Sequence, residues 1–151
     1  MYLTQTLHRA NRVHPHKLAT VYGTRRHDYA TAHDRIARLA GALRSLGVKA
    51  GDRVGILSLN SDRYFEYLYA TWWAGAVVNP CNTRWSVSEI AYSLQDCDTR
   101  VLLIDDAFVG KLPELRAQAS CLTTVIHCGD EATPDGLPRY DDLVALSLIH
   151  I

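Results

Sequence analysis

Apolar residues along this chain switch between three-and-four spacing and short continuous runs, and that alternation lays out its elements. Leu3, Leu7 and Ala10 share one helical face, which predicts a short amphipathic helix over 3–12, closed off by His14-Pro15. Leu18–Tyr22 and Arg26–Tyr29 flank Gly23-Thr24-Arg25, the pattern of a β-hairpin with glycine at a positive φ. A longer helix is expected from an N-cap at Thr31 to Leu46. Its core stripe is Ile36, Leu39, Ala40, Leu43 and Leu46, with Arg35, Arg38 and Arg44 on the opposite side and Asp34 near the positive end of the dipole. Gly47 ends it, because glycine takes the left-handed conformation without a Cβ clash.

From Arg53 the pattern reads β-α-β-α-β-α-β. Arg53–Leu57 is almost wholly apolar, as in a strand buried on both faces. Asn60, Ser61 and Asp62 can cap a helix running to Ala74, stopped by Gly75. Tyr64, Phe65, Tyr67, Tyr69, Trp72 and Trp73 fall all round that helix, which predicts a helix wedged between the sheet and another layer, ahead of an aromatic wall for an apolar ligand. Val77–Pro80 is a strand that proline must end. Ser86 and Glu89 form an S-x-x-E capping box for a helix whose buried face is Ile90, Ala91 and Leu94. Strands follow at Val101–Ile104 and Thr123–His127, with a helix over Ala107–Ala119 between them, and the segment from 128 to 142 reads as irregular. Right-handed crossovers between such strands give an α/β fold, a doubly wound, mostly parallel sheet with helices on both faces, preceded by the short helix and hairpin.

At 48% apolar and 21% charged residues the composition is that of a folded domain rather than a disordered chain. Sixteen basic and sixteen acidic residues balance, so the overall charge gives no footprint for nucleic acid or an anionic membrane, and Arg25-Arg26-His27 reads as a solvated hairpin tip. The polar N-terminus lacks a secretory core and no apolar run is long enough to span a bilayer, so a cytoplasmic location without a transmembrane segment is expected. Cys81, Cys97, Cys121 and Cys128 form no C-x-x-C pair and read as small packed thiols. His14-Pro-His16, with no carboxylate beside it, is a poor metal site.

A doubly wound sheet binds ligands beyond the carboxyl ends of its strands, here the turns after Leu57, Pro80 and Ile104. None of these turns carries a dinucleotide or P-loop glycine pattern, and the chain has no nucleophile elbow and no H-E-x-x-H. Asp105-Asp106 could ligate a metal, but at a strand-to-helix turn the cap is the preferred reading. Arg84 and Trp85 are the best exposed candidates, because a guanidinium there could grip phosphate through two parallel hydrogen bonds; a solvated arginine beside a packed tryptophan is the alternative.

Tyr29-Ala30-Thr31, Leu46-Gly47-Val48, Gly51-Asp52-Arg53-Val54-Gly55-Ile56-Leu57 and Asn60-Ser61, then Ala74-Gly75-Ala76-Val77-Val78-Asn79-Pro80, Asn82-Thr83-Arg84-Trp85, Ser88-Glu89-Ile90-Ala91-Tyr92 and Val101-Leu102-Leu103-Ile104-Asp105 occur in that order. So arranged, they resemble the N-terminal part of the adenylate-forming (AMP-binding) superfamily, especially its acyl-CoA synthetases. The resemblance implies a ligase that uses ATP, Mg2+ and coenzyme A on a small-molecule carboxylic acid, a fatty or other apolar one, by way of an acyl-adenylate. It also implies that Arg84, matching the arginine of an N-x-R segment, faces a phosphate of coenzyme A, although Thr83 stands where proline is commoner. The family's Pro-Lys-Gly phosphate loop, its ribose aspartate and its C-terminal lysine have no counterpart here, so no catalytic residue is carried over and the chain alone is expected to be inactive.

The expected organisation is thus 1–145 as the incomplete N-terminal part of a larger AMP-binding domain. Residues 146–151, Leu-Ser-Leu-Ile-His-Ile, read as the translation of a transposase-adapter end (CTG TCT CTT ATA CAC ATC) rather than native sequence. Exposed apolar surface is expected on such a part. The alternatives are an adenylation domain that loads a carrier protein, or a complete non-catalytic α/β binding module.

Overall fold

The computed structural model describes residues 2–147. Helix α1 (Gln5–Val13) leads into a two-stranded antiparallel hairpin, β1 (Leu18–Tyr22) and β2 (Arg25–Asp28), and then α2 (Tyr29–Ser45). The α/β unit follows as β3 (Arg53–Leu57), α3 (Asp62–Trp73), β4 (Val77–Pro80), α4 (Val87–Asp96), β5 (Val101–Ile104), a 3-10 turn with α5 (Leu112–Gln118), and β6 (Thr124–His127). The four strands pair in parallel in the order β4-β3-β5-β6. The doubly wound parallel sheet expected from the sequence is present, with its strands at or within one residue of their expected bounds.

Strand alternation divides the core between the two faces. Val54, Ile56, Val101, Leu103 and Ile126 pack against α2 and α3, while Leu57, Leu102, Ile104 and Val125 pack against α4 and α5. Gly55 faces the second side, where an added Cβ would lie 3.0 Å from Leu102 and 3.2 Å from Leu94; the missing side chain lets α4 sit close to the sheet. Gly47 and Gly75 end α2 and α3 at φ of 92° and 80°, a region that L side chains rarely adopt.

Capping was partly as read. Ser61 caps α3, and the Ser86–Glu89 box caps α4 with both reciprocal bonds. Helix α2, however, starts three residues before the expected Thr31: Asp28 is the N-cap and accepts the Thr31 amide at 2.8 Å. Asp28 and Thr31 are both good caps, and the hairpin delivers the chain to Asp28 in extended conformation. The helix expected from Ala107 begins at Leu112, after a 3-10 turn, with Pro113 in its first turn, where proline is tolerated. The last three residues of the segment read as irregular open a helix, α6 (Tyr140–Leu146).

Helix α3 reverses the expected distribution of polarity. Asp62, Arg63 and Glu66 are buried with Tyr67, Ala70 and Thr71, while Tyr64, Phe65, Leu68, Tyr69, Trp72 and Trp73 are half-buried. Arg35, placed by its periodicity among the solvated residues, is in fact bonded into the cluster that receives these charges. Glu66, 0% exposed, accepts two bonds from Arg35 at 2.6 and 3.1 Å and one from the Tyr140 hydroxyl at 2.6 Å. Asp141 accepts from Arg35 at 3.0 Å and from Arg63 at 2.7 Å, and Arg63 also donates to the Cys128 and Gly129 carbonyls. Arg25 of the hairpin grips Asp62 with two bonds at 2.7 and 2.8 Å. These pairings meet the condition under which charge can be buried at all.

Helix α1 is held more lightly. Leu7 is its one buried residue; Thr6 bonds to the Tyr69 hydroxyl, and the His8 and His33 rings share an N···N bond of 3.0 Å beside Trp73. That bond needs one ring nitrogen without a proton. Burial, then the His8 ring, hold His33 below the ordinary histidine range against the opposing pull of Asp34. A depressed folded-state value means that the unfolded chain binds more protons just below pH 6.5, so the docked helix loses stability as pH falls through that window. Proteolysis within α1 is therefore expected to quicken between pH 7.5 and 5.5, and His33→Gln is expected to flatten this dependence.

Candidate functional site

The strand order places the topological switch between β3 and β5, where the β3 crossover leaves to one side and the β5 crossover to the other. A crevice opens there beyond the carboxyl ends, lined by Tyr22, Arg25, Ser58, Asp105, Asp106 and Asp130, with a volume of about 170 Å³. A small-molecule site usually offers at least ~300 Å³. The crevice is small because its own side chains occupy it.

Asp105 accepts the Leu59 amide at 2.8 Å across the switch and the Ala107 amide at 3.1 Å within its own turn. Asp106 accepts His127 Nε2 at 2.7 Å and the Asp130 and Glu131 amides at 2.7 and 3.1 Å. Burial opposes ionisation of Asp106, but the two amides and His127 outweigh it and hold the carboxyl below its ordinary range. The preferred reading of this pair as helix caps is corrected here: Asp105 closes its turn and fastens β3 to β5, while Asp106 pins the loop after β6. The signal missed in the sequence is His127, 21 residues away from Asp106. Among the described residues no group of three or more His, Cys, Asp or Glu is placed to hold a metal ion.

This crevice is a poor phosphate cradle. Asp105, Asp106 and Asp130 line it, and Arg25, the one cation among its lining residues, is already committed to Asp62 and Asp130. A nucleotide phosphate would meet net negative charge.

Arg84 lies elsewhere, in the turn between β4 and α4. Asn82 accepts the Arg84 amide at 2.9 Å, an Asx-turn that fixes the backbone while the side chain stays exposed. Its guanidinium has no partner among the described residues, in contrast to Arg25, Arg35 and Arg63. Trp85, beside it, faces a groove of about 560 Å³ along α4 with Ser88, Tyr92 and Cys97, but Arg84 does not line that groove. The structure therefore does not join the two residues singled out together. The cysteines are free thiols; burial pushes Cys81 and Cys128 up to about 12, where a thiol is inert.

The AMP-binding enzyme family matches residues 7–145. This chain belongs to that family. The long-chain-fatty-acid–CoA ligase of Thermus thermophilus is 39% identical over 116 residues, 76% of this chain and 21% of the relative. The peroxisomal benzoate–CoA ligase of Arabidopsis thaliana is 34% identical over 102 residues, 68% of this chain and 18% of the relative. This AMP-binding chain thus spans about a fifth of the length of the curated relatives it matches. A crystal structure of the anthranilate CoA ligase AuaEII with anthranoyl-AMP superposes with a TM-score of 0.94 over 100% of this chain and 29% of its own, at 24% identity, a likeness of fold. The N-terminal domain of FACL13 from Mycobacterium tuberculosis superposes with a TM-score of 0.84 over 99% of this chain and 37% of its own, at 25% identity.

Proposed function

We propose that the protein to which this AMP-binding chain contributes is an ATP-dependent carboxylate–CoA ligase. The observation that carries the reading is a family match across the α/β unit together with curated relatives named as CoA ligases. In this reaction a carboxylate oxygen attacks the α-phosphorus of ATP and diphosphate leaves; the thiol of coenzyme A then attacks the acyl carbonyl and AMP leaves. Catalysis rests on neutralising phosphate charge and orienting the acyl group. The crevice acids of this chain repel phosphate, so residues 1–145 serve as scaffold and the chain alone does not adenylate. The substrate is proposed to be a fatty or other apolar acid, in line with the Thermus relative. The family match gives no support to a non-catalytic module.

Arg84 is proposed to meet a phosphate of coenzyme A, supported by its exposure and uncommitted guanidinium. A charge-assisted bond of this kind contributes about 1.5–3 kcal/mol. In the enzyme carrying this sequence, Arg84→Ala is therefore expected to raise the KM for coenzyme A about tenfold or more and leave ATP–diphosphate exchange unchanged. The isolated 151-residue chain is expected to show no exchange. Exchange at an enzyme-like rate by that chain would overturn the scaffold reading, and an unchanged KM would return Arg84 to the solvated loop.

A further inference from the structure

We infer that the outer face of α1 is a docking surface for an anionic lipid bilayer. The neutral overall charge conceals a segregation: residues 1–27 hold five Lys or Arg and no acid, leaving the rest of the chain with an excess of five acids. Of these cations Arg25 is spent on Asp62, whereas Arg9, Arg12, Lys17 and Arg26 are exposed and have no ion pair among the described residues. The first acid, Asp28, is engaged with the Thr31 amide and lies near His16.

Exposed apolar side chains collect in the same segment. Among the described residues, six of the ten large apolar side chains left exposed lie between Tyr2 and Tyr22, which marks the segment as unlike the rest of the surface. Tyr2, Leu3 and Val13 line one open groove of about 760 Å³ with Arg9 and Arg12. Leu7 turns the other way, into the core against α2 and α3, and the groove shares no residue with the strand-end crevice, so this face is separate from it.

Cations on a helix flanked by apolar side chains, Tyr2 and Leu3 just before it and Val13 at its end, suit a bilayer better than another polyanion. Leucine, valine and tyrosine enter the acyl boundary while arginines reach the headgroup phosphates, and nucleic acid offers the apolar side chains nothing. A helix of nine residues gives weak, reversible adsorption that delivers the protein to a membrane without anchoring it.

The test is flotation of the intact protein with vesicles of phosphatidylcholine alone or with 30% phosphatidylglycerol, at about 0.1 M and 0.5 M NaCl. Binding is expected to the anionic vesicles at low salt, with release at high salt. A basic residue at an anionic surface is worth about fivefold in affinity, so Arg9→Gln with Arg12→Gln is expected to weaken binding about twenty-five-fold. Leu3→Ser with Val13→Ser is expected to weaken it about tenfold. Arg9→Lys with Arg12→Lys keeps the charge and is expected to bind normally. All four positions are exposed, so unfolding midpoints should not move. Equal binding to both vesicle types, or indifference to either weakening pair, would overturn the inference. So would retention on duplex DNA that depends on the arginines but not on Leu3 and Val13, which would make the face a general polyanion site.

Discussion

Glu66→Leu is expected to lower the stability of the folded unit by about 3–5 kcal/mol, the usual cost of removing one member of a buried ion pair. At roughly 2–4 °C per kcal/mol for a domain of this size, the melting midpoint should fall by about 6–20 °C. The cost arises from what is left behind. Arg35 loses two bonds and its main counter-charge, the buried Tyr140 hydroxyl loses its acceptor, and His27, 3.7 Å from the same carboxylate, loses the nearby charge. Glu66→Gln keeps the shape and one acceptor oxygen and should cost about half as much. Replacing both members, Arg35→Met with Glu66→Leu, should cost less than the sum of the single changes, because no charge is then stranded. Thermal melts of the four proteins check this; an additive double variant would mean that the pair is not coupled.

Gly129→Ala should be the most damaging of the small substitutions, at about 2–3 kcal/mol. A Cβ at this position would overlap the Asp106 carboxylate itself. That carboxylate cannot swing away cheaply, because His127 and the Asp130 and Glu131 amides hold it in place. Displacing it breaks three bonds to an ion and frees the loop after β6. The change should also raise the Asp106 carboxyl toward its ordinary range. In the parent protein, stability linked to this depressed carboxyl is present above the unfolded-state value near 3.8 and lost as pH falls through the folded value. Gly129→Ala should lose that acid-range slope, as melts between pH 5 and 2 would show.

The strands and most helix ends were legible because their causes are local. Val101–Ile104 is a short apolar run, Ser61 and Ser86 stand at their caps, and Gly75 stands at its stop. The polar face of α3 was not legible. Periodicity sees Asp62, Arg63 and Glu66 as charges on a helix rich in aromatic residues, and nothing within a turn or two shows that they will be neutralised. Their partners Arg25, Arg35, Asp130 and Asp141 lie 31 to 78 positions away and are brought close by the fold. Arg35 was misplaced for the same reason. Helix α6 escaped notice because it is short, lacks a side-chain cap bond and follows a glycine- and proline-rich stretch. Arg84 was singled out by its place in the turn after a strand end, and only the match to a family segment suggested a ligand for it; its exposed side chain has no neighbour among the described residues that would do so.

The clasp around Glu66 and Arg63 also bears on how this chain can be made. A ribosome releases the hairpin, α2 and α3 first, and at that stage Arg63 and Glu66 have no Asp141 or Tyr140 to meet. The separations to these partners are 78 and 74 residues, and Arg35 waits 106 residues for Asp141. Burying the two helices against the sheet before α6 emerges would strand charges in the interior, so the nascent chain should stay open on that face until residues 140–141 leave the tunnel. Late arrival of a seven-residue helix thereby sets when the whole unit locks.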